Sequence, residues 1–217
     1  GTINTSAIGS DTDGTSDGTF HLTVNPLPMD HLTITGSASQ VAGSSQTITM
    51  TAIDIEGNTF TTYTGDHALT FSGANNSPDG THPKTKDKNN SDVNLGTSAT
   101  ITFTNGVATT GMSLYKAEMA EVETTDGTFA TTADQSYDLN VNVTIMGTDD
   151  GKTSSAAAPA PATACTQETI TVTANDVYGN PETSGGLIIG IRVGGANSAN
   201  PSVTDNGNGT YTATYIP

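Results

Sequence analysis

The sequence predicts an all-β chain of two tandem β-sandwiches, and three observations carry the prediction. First, a segment repeats: Thr47-Ile48-Thr49-Met50-Thr51-Ala52 leads through Asp54 to Gly57-Asn58, and Thr169-Ile170-Thr171-Val172-Thr173-Ala174 leads through Asp176 to Gly179-Asn180. The second copy stands about 122 residues after the first, so two related modules share the chain. Second, apolar residues alternate with Thr, Ser and Asn in many short runs bounded by Gly, Asn, Asp and Pro, the period of a strand with one buried face. Third, the only helix-like composition, at 115–122, is short and fits two strand ends equally well.

Module one covers 27–143. Leu32-Thr33-Ile34 opens it, 47–53 follows, and Ala68-Leu69-Thr70-Phe71 comes after the Gly57-Asn58 turn. Residues 73–96 break the alternation; they are polar and turn-rich and read as an insertion loop, a kind of segment that often carries function. Alternation returns at Thr100-Ile101-Thr102-Phe103, Met112-Ser113-Leu114-Tyr115, Glu121-Val122-Glu123-Thr124 and 137–143. Module two covers 144–217. The run Ala156-Ala157-Ala158-Pro159-Ala160-Pro161-Ala162 favours polyproline-like extension, either a semi-rigid spacer or an edge strand, and is read as the spacer into the module. Strands are then expected at 169–174, 187–193, 202–204 and 209–215. Four strands are too few for a sandwich that usually needs about seven.

The run Pro201-Ser202-Val203-Thr204-Asp205-Asn206-Gly207-Asn208-Gly209-Thr210-Tyr211-Thr212-Ala213-Thr214-Tyr215-Ile216-Pro217 resembles the late-strand signature of filamin-type and invasin-type immunoglobulin-like repeats of bacterial and archaeal surface proteins. In module one, Asp54-x-x-Gly57-Asn58, Tyr63-Thr64-Gly65 and Asn105-Gly106-Val107 look similar to surface-protein repeats. The resemblance implies two immunoglobulin-like β-sandwiches with a role in surface architecture or adhesion. It also implies that the signature is followed by one strand, a Gly-rich turn and a last strand built around a small residue and Phe. Segments fit for those roles stand at 1–26: Ile3, Thr5 and Ala7 in one, Phe20, Leu22 and Val24 in the other. Module two is therefore expected to be incomplete within the chain and completed by the N-terminal segment of a neighbouring copy. Two arrangements fit: a window on a longer tandem polypeptide, or separate subunits joined by strand donation.

Composition narrows the function classes. Six Lys plus Arg against 22 Asp plus Glu give a net charge of -16, which opposes nucleic acid and anionic lipid as partners. Only 13% of residues are charged, so the polar surface is mostly Thr, Ser, Asn and Gly, a composition of extracellular, cell-surface proteins. Cys165 is the sole cysteine, which excludes an intrachain disulfide and leaves sheet packing, ions or neighbouring chains to stabilise the fold. No apolar run approaches the roughly 18 residues of a membrane span, and no basic-then-apolar leader opens the chain, which reads as mature and soluble.

Candidate sites are few. Asp11, Asp13 and Asp17 alternate in a Gly-rich turn that could supply oxygen ligands to calcium, without the late Glu of an EF-hand loop; a plain solvated turn is the alternative. Asp54 with Asn58, and Asp176 with Asn180, are expected to shape their turns through side-chain bonds to backbone N–H groups. Lys84, Lys86 and Lys88 place half of the basic residues in one loop, a candidate for docking on an acidic neighbour or a host glycan or protein. His21, His31, His67 and His82 have no metal-ligand spacing and no nucleophile partner. Lys116 could join an Asn or Asp in a self-formed crosslink. The reading is a non-enzymatic structural repeat of an extracellular filament, stalk or adhesin whose partners are copies of itself. It requires no cofactor, and calcium is the one candidate ion. An adhesive module binding through 73–96 is the alternative.

Overall fold

The computed structural model describes residues 27–147, 154–158 and 160–217. The described chain is all-β, its one helical turn being a short 3₁₀ segment at Gln135–Tyr137. Ile3, Thr5, Ala7, Asp11, Asp13, Asp17, Phe20, His21, Leu22 and Val24 lie outside the described residues.

Module one is a sandwich of two five-stranded sheets. In the first, β1 (Met29–Thr35), β3 (Ser45–Asp54), β8 (Val107–Ser113), β5 (Lys84–Lys86) and β6 (Asp92–Asn94) pair in that order. In the second the order is β2 (Ser39–Val41), β10 (Leu139–Thr144), β9 (Met119–Thr125), β4 (Gly65–Ser72) and β7 (Ser98–Phe103). β2 runs parallel to β10, and the remaining pairs are antiparallel. Strict alternation builds the core: Leu32, Ile34, Ile48, Met50 and Ala52 of the first sheet face inward with Leu69, Phe71, Ile101, Phe103, Val122 and Val141 of the second, each nearly or fully buried. Burying each larger side chain contributes about 1.5–3 kcal/mol before entropy is subtracted, and no disulfide supplements it. Between β7 in the second sheet and β8 in the first, the chain turns at Asn105-Gly106, whose φ values of 49° and 80° suit a two-residue turn closed by the bridge from Thr104 to Val107.

The 73–96 segment differs from the loop that its composition suggests, because it contributes β5 and β6 to the edge of the first sheet. Its inward residue is Thr85, 1% exposed, whose Oγ1 donates to the Gly111 carbonyl at 3.2 Å. A strand that buries a threonine between two outward lysines shows no apolar alternation.

Module two consists, among the described residues, of one four-stranded sheet: β11 (Ser155–Ala157), β12 (Glu168–Thr173), β14 (Thr210–Tyr215) and β13 (Val203–Asp205). The Ala-rich stretch read as a spacer begins as the edge strand β11. The order β11-β12-β14-β13 repeats β1-β3-β8-β5, strand for strand, so this sheet is the counterpart of module one's first sheet. Residues 187–193, read from sequence as a strand, stand in the sequence where β4 stands in module one. They keep its phase, with Leu187, Ile189, Ile191 and Val193 half-buried and the residues between them exposed, yet they join no sheet ladder. Among the described residues, a single bridge from Val193 to Ala199 is their strand-type pairing. Strand alternation is written into this segment, and the neighbouring strands that would pair with it are missing from the described residues.

Candidate functional site: the junction between the sandwiches

The two repeated turns are built alike. Strand β3 ends at Asp54, whose Oδ1 accepts the N–H groups of Glu56 at 3.0 Å and Asn58 at 2.8 Å. Beyond β12, Asp176 Oδ1 accepts those of Tyr178 and Asn180, both at 2.9 Å. Gly57 and Gly179 take φ of 83° and 79°, a conformation that an L side chain disfavours, so each loop closes on a glycine. The N–H of Asn58, then that of Glu56, holds the Asp54 carboxyl below the usual carboxylate range.

Their surroundings differ. The 54–58 turn is exposed apart from Asp54 itself. The 176–180 turn is seated on the far end of module one. Asn180, 1% exposed, accepts the Ala117 N–H through Oδ1 at 2.8 Å and donates through Nδ2 to the Tyr115 carbonyl at 2.8 Å and to Asp176 Oδ2 at 2.9 Å. Asp176 is fully buried, and its Oδ2 also accepts the Met146 N–H at 3.0 Å. The Asp79 N–H donates to the Tyr178 carbonyl at 3.1 Å. The Tyr178 ring meets Tyr115 edge to face at 5.0 Å and covers Gly43, where an added Cβ would stand 2.1 Å from the Tyr178 hydroxyl oxygen. Burial there raises the Tyr178 hydroxyl above its ordinary pKa, with Tyr115 and Asp176 adding to the shift.

This arrangement fixes the 176–180 turn of module two on module one with hydrogen bonds to part-buried backbone groups. Sequence reasoning located Asp176 and Asn180 as turn residues and missed Gly43, Asp79, Tyr115, Ala117 and Tyr178. One signal was available: the aromatic Tyr178 sits in the turn where the first copy has Glu56.

The remaining candidates sit elsewhere. Lys84 and Lys86 both pair with Asp92, at 3.6 and 2.5 Å, and Lys88 pairs with Asp66. A shallow cleft of about 270 Å³ opens beside Lys86, Lys88, Ile101 and Thr110. Lys116 Nζ is 2.8 Å from Glu118, whose carboxylate also accepts from the backbone and side-chain N–H groups of Asn75. His31 stacks on Tyr137, and His67 stacks on Tyr63, whose hydroxyl donates to Asp126 at 2.6 Å. Among the described residues no group of three or more His, Cys, Asp or Glu side chains is placed to hold a metal ion, and no helix is long and apolar enough to cross a membrane.

Compared with protein-family models and with curated proteins, the sequence finds no match. Solved structures give low-identity likenesses. Invasin, a bacterial integrin-binding protein, is 17% identical over 85% of this chain and 33% of its own, with a TM-score of 0.36. The S-layer protein rSbsC(31-844) is 18% identical over 91% of this chain and 22% of its own, at 0.34. A two-domain piece of the surface layer protein SbsC, domains 5-6, is 16% identical over 89% of this chain and 86% of its own, at 0.33. The chain spans a third or less of the first two.

Proposed function

We propose that this chain is a non-enzymatic structural repeat of an extracellular, cell-surface filament or stalk, joined head to tail to copies of itself. In this reading the N-terminal segment of one copy completes module two of the next. The observation that carries it is that the inner face of module two, among the described residues, is only half-buried. Ile48 and Met50 of β3 are 0% exposed, whereas their counterparts Ile170 and Val172 of β12 are only half-buried. Leu69 and Phe71 of β4 are likewise 0% exposed, and their counterparts Ile191 and Val193 are half-buried. Apolar residues in the right phase, next to a segment without a ladder, form a template for added strands.

In module one, β4 pairs with β9, which pairs with β10. The segments holding Ile3, Thr5 and Ala7, and Phe20, Leu22 and Val24, would take those two places in module two, each presenting alternate residues to the open face. The junction geometry suits the same role, since a turn seated on a neighbouring sandwich gives a linear array stiffness.

The test is the size distribution of the purified chain after refolding from denaturant, read by sedimentation and electron microscopy. Linear polymers are expected, and Phe20→Asp with Leu22→Asp is expected to leave monomers. A wild-type chain that stays monomeric, with amides at 187–193 already protected from exchange, refutes strand completion by a neighbour. Intact mass under denaturing conditions separates subunits near 22.0 kDa from one continuous tandem polypeptide.

A further inference from the structure

We infer that the exposed 54–58 turn is a docking plug for a second copy of this chain, seating on the far end of that copy's module two around Cys165. The inference rests on the head-to-tail reading above and specifies its contact. Three observations carry it.

The first is the equivalence of the two turns. The same bonding pattern, from Asp54 Oδ1 to the N–H groups of Glu56 and Asn58 and from Asp176 Oδ1 to those of Tyr178 and Asn180, presents Asn58 and Asn180 in the same position of the loop. Asn180 spends its amide on the backbone of a neighbouring sandwich, and Asn58 is exposed.

The second is that the floor of the socket also repeats. Gly43, the floor under Tyr178, has φ of 78° and donates its N–H to the Leu114 carbonyl at 2.8 Å. The residue in the same place of the second copy is Cys165, which has φ of 63° and donates its N–H to the Pro217 carbonyl at 2.9 Å. Cys165 is exposed, although a non-glycine residue in this conformation costs strain that Gly43 avoids. Gly43 precedes β3 and the 54–58 turn follows it, so socket and plug lie at opposite ends of module one. Cys165 and the 176–180 turn are related in the same way through β12. Among the described residues the chain thus presents an exposed turn at one end and, at Cys165, an exposed counterpart of the Gly43 floor at the other.

The third is size matching. Where the socket is Gly43, the plug carries Tyr178, and any Cβ on the floor would collide with the ring. Where the socket carries a side chain, Cys165, the plug carries Glu56, whose slimmer and more flexible side chain leaves room for it. Each plug suits its own socket. A Tyr178 plug on a Cys165 floor would clash, which disfavours joining copies through the wrong pair of ends.

The experiment places Glu56→Cys in the full chain, keeps native Cys165, treats assembled material with a short bismaleimide and resolves it on a denaturing gel. Residue 56 and Cys165 lie at opposite ends of one chain, so crosslinking between them reports contact between copies. A ladder of dimers, trimers and longer species is expected. It should vanish with Cys165→Ser in the same background and with Ser91→Cys, on the exposed turn between β5 and β6, in place of Glu56→Cys. Polymers that sediment normally but give no more ladder from Glu56→Cys than from Ser91→Cys overturn the docking assignment and leave the filament reading standing. A chain that never polymerises overturns both.

Discussion

Replacing Asn180 by alanine removes both hydrogen bonds that its side chain makes to module one, and the consequence can be worked out bond by bond. The Ala117 N–H and the Tyr115 carbonyl each lose a partner at 2.8 Å. A typical bond of this kind contributes about 0.5–1.5 kcal/mol net, so the docked state should weaken by about 1–3 kcal/mol relative to the undocked one, in which water satisfies both groups. That shift multiplies the population of the opened junction by about 5 to 150. The informative probe is the Asp79 amide, which donates to the Tyr178 carbonyl across the junction and is not itself touched by the substitution. Its hydrogen exchange should accelerate by that factor, while amides in the middle of β3 and β8 keep their rates.

The matched control is Asn58→Ala. Its amide nitrogen stands 3.5 Å from Asp54 Oδ1 and its side chain is exposed, so in the monomeric chain it should shift stability by less than about 0.5 kcal/mol and leave Asp79 unchanged. If Asp79 exchanges at the wild-type rate in Asn180→Ala, the amide is not what holds the turn. Docking would then rest on the Tyr178 ring and the bond from the Asp79 N–H to the Tyr178 carbonyl. If both substitutions act equally, the asymmetry between docked and exposed turns is wrong.

Two further outcomes follow from the same comparison of modules. Ile48→Ala, at a fully buried site, should cost about 2–5 kcal/mol of module-one stability in urea unfolding; Ile170→Ala, its half-buried counterpart, should cost under half as much in the monomer and approach the Ile48 value once copies assemble. On acidification, Asp54, Asp79 and Asp126 titrate below their usual range: the N–H of Asn58 leads for Asp54, while burial opposes the shift at Asp79 and Asp126 and is outweighed by bonds from Ser77 and Thr81, and from Phe129, Tyr63 and Thr128. A depressed carboxylate contributes stability above its unfolded pKa of about 3.9 and loses it as pH falls through the folded value, so Tm should be flat from neutrality to about pH 5 and decline below about pH 4. A Tm that keeps rising through pH 3 would mean that relief of repulsion at a net charge of -16 outweighs these bonds.

The fold class was legible because strand alternation depends on neighbouring residues alone: Ile48, Met50 and Ala52, or Leu69 and Phe71, announce a buried face without knowledge of what covers it. The same locality explains the differences. Thr85 anchors β5 as a buried residue that no hydropathy pattern marks, and 187–193 has the alternation of a strand without a ladder, because pairing is a property of two segments and alternation of one. At the junction, Asp176 and Asn180 could be read as turn residues from their spacing, since Asx geometry is local. That Asn180 bonds to Tyr115 and Ala117 could not, because those groups are backbone atoms of a different module and carry no residue identity to read.

The contrast between the modules also bears on how so thin a core holds. Module one buries Phe71, Phe103, Leu32, Ile48, Met50, Leu69, Met112, Leu114, Val122 and Val141 almost completely, whereas the fully buried large apolar side chain of module two is Tyr211. Tyr211 also accepts the Leu187 N–H at its hydroxyl, so this buried ring is partly committed to holding the 187–193 segment in place. On the proposed reading, the described sheet of module two keeps its apolar positions in register, and much of its free energy of folding would come from the strands that cover its inner face. In a head-to-tail array each added copy would supply that cover and, through the 54–58 turn, a second contact at the same joint. Strand completion and plug docking would then be cooperative, because strands that fix a neighbour's orientation also bring its plug over the socket at high effective concentration. Loss of either contact should therefore weaken the array by more than its own hydrogen bonds are worth.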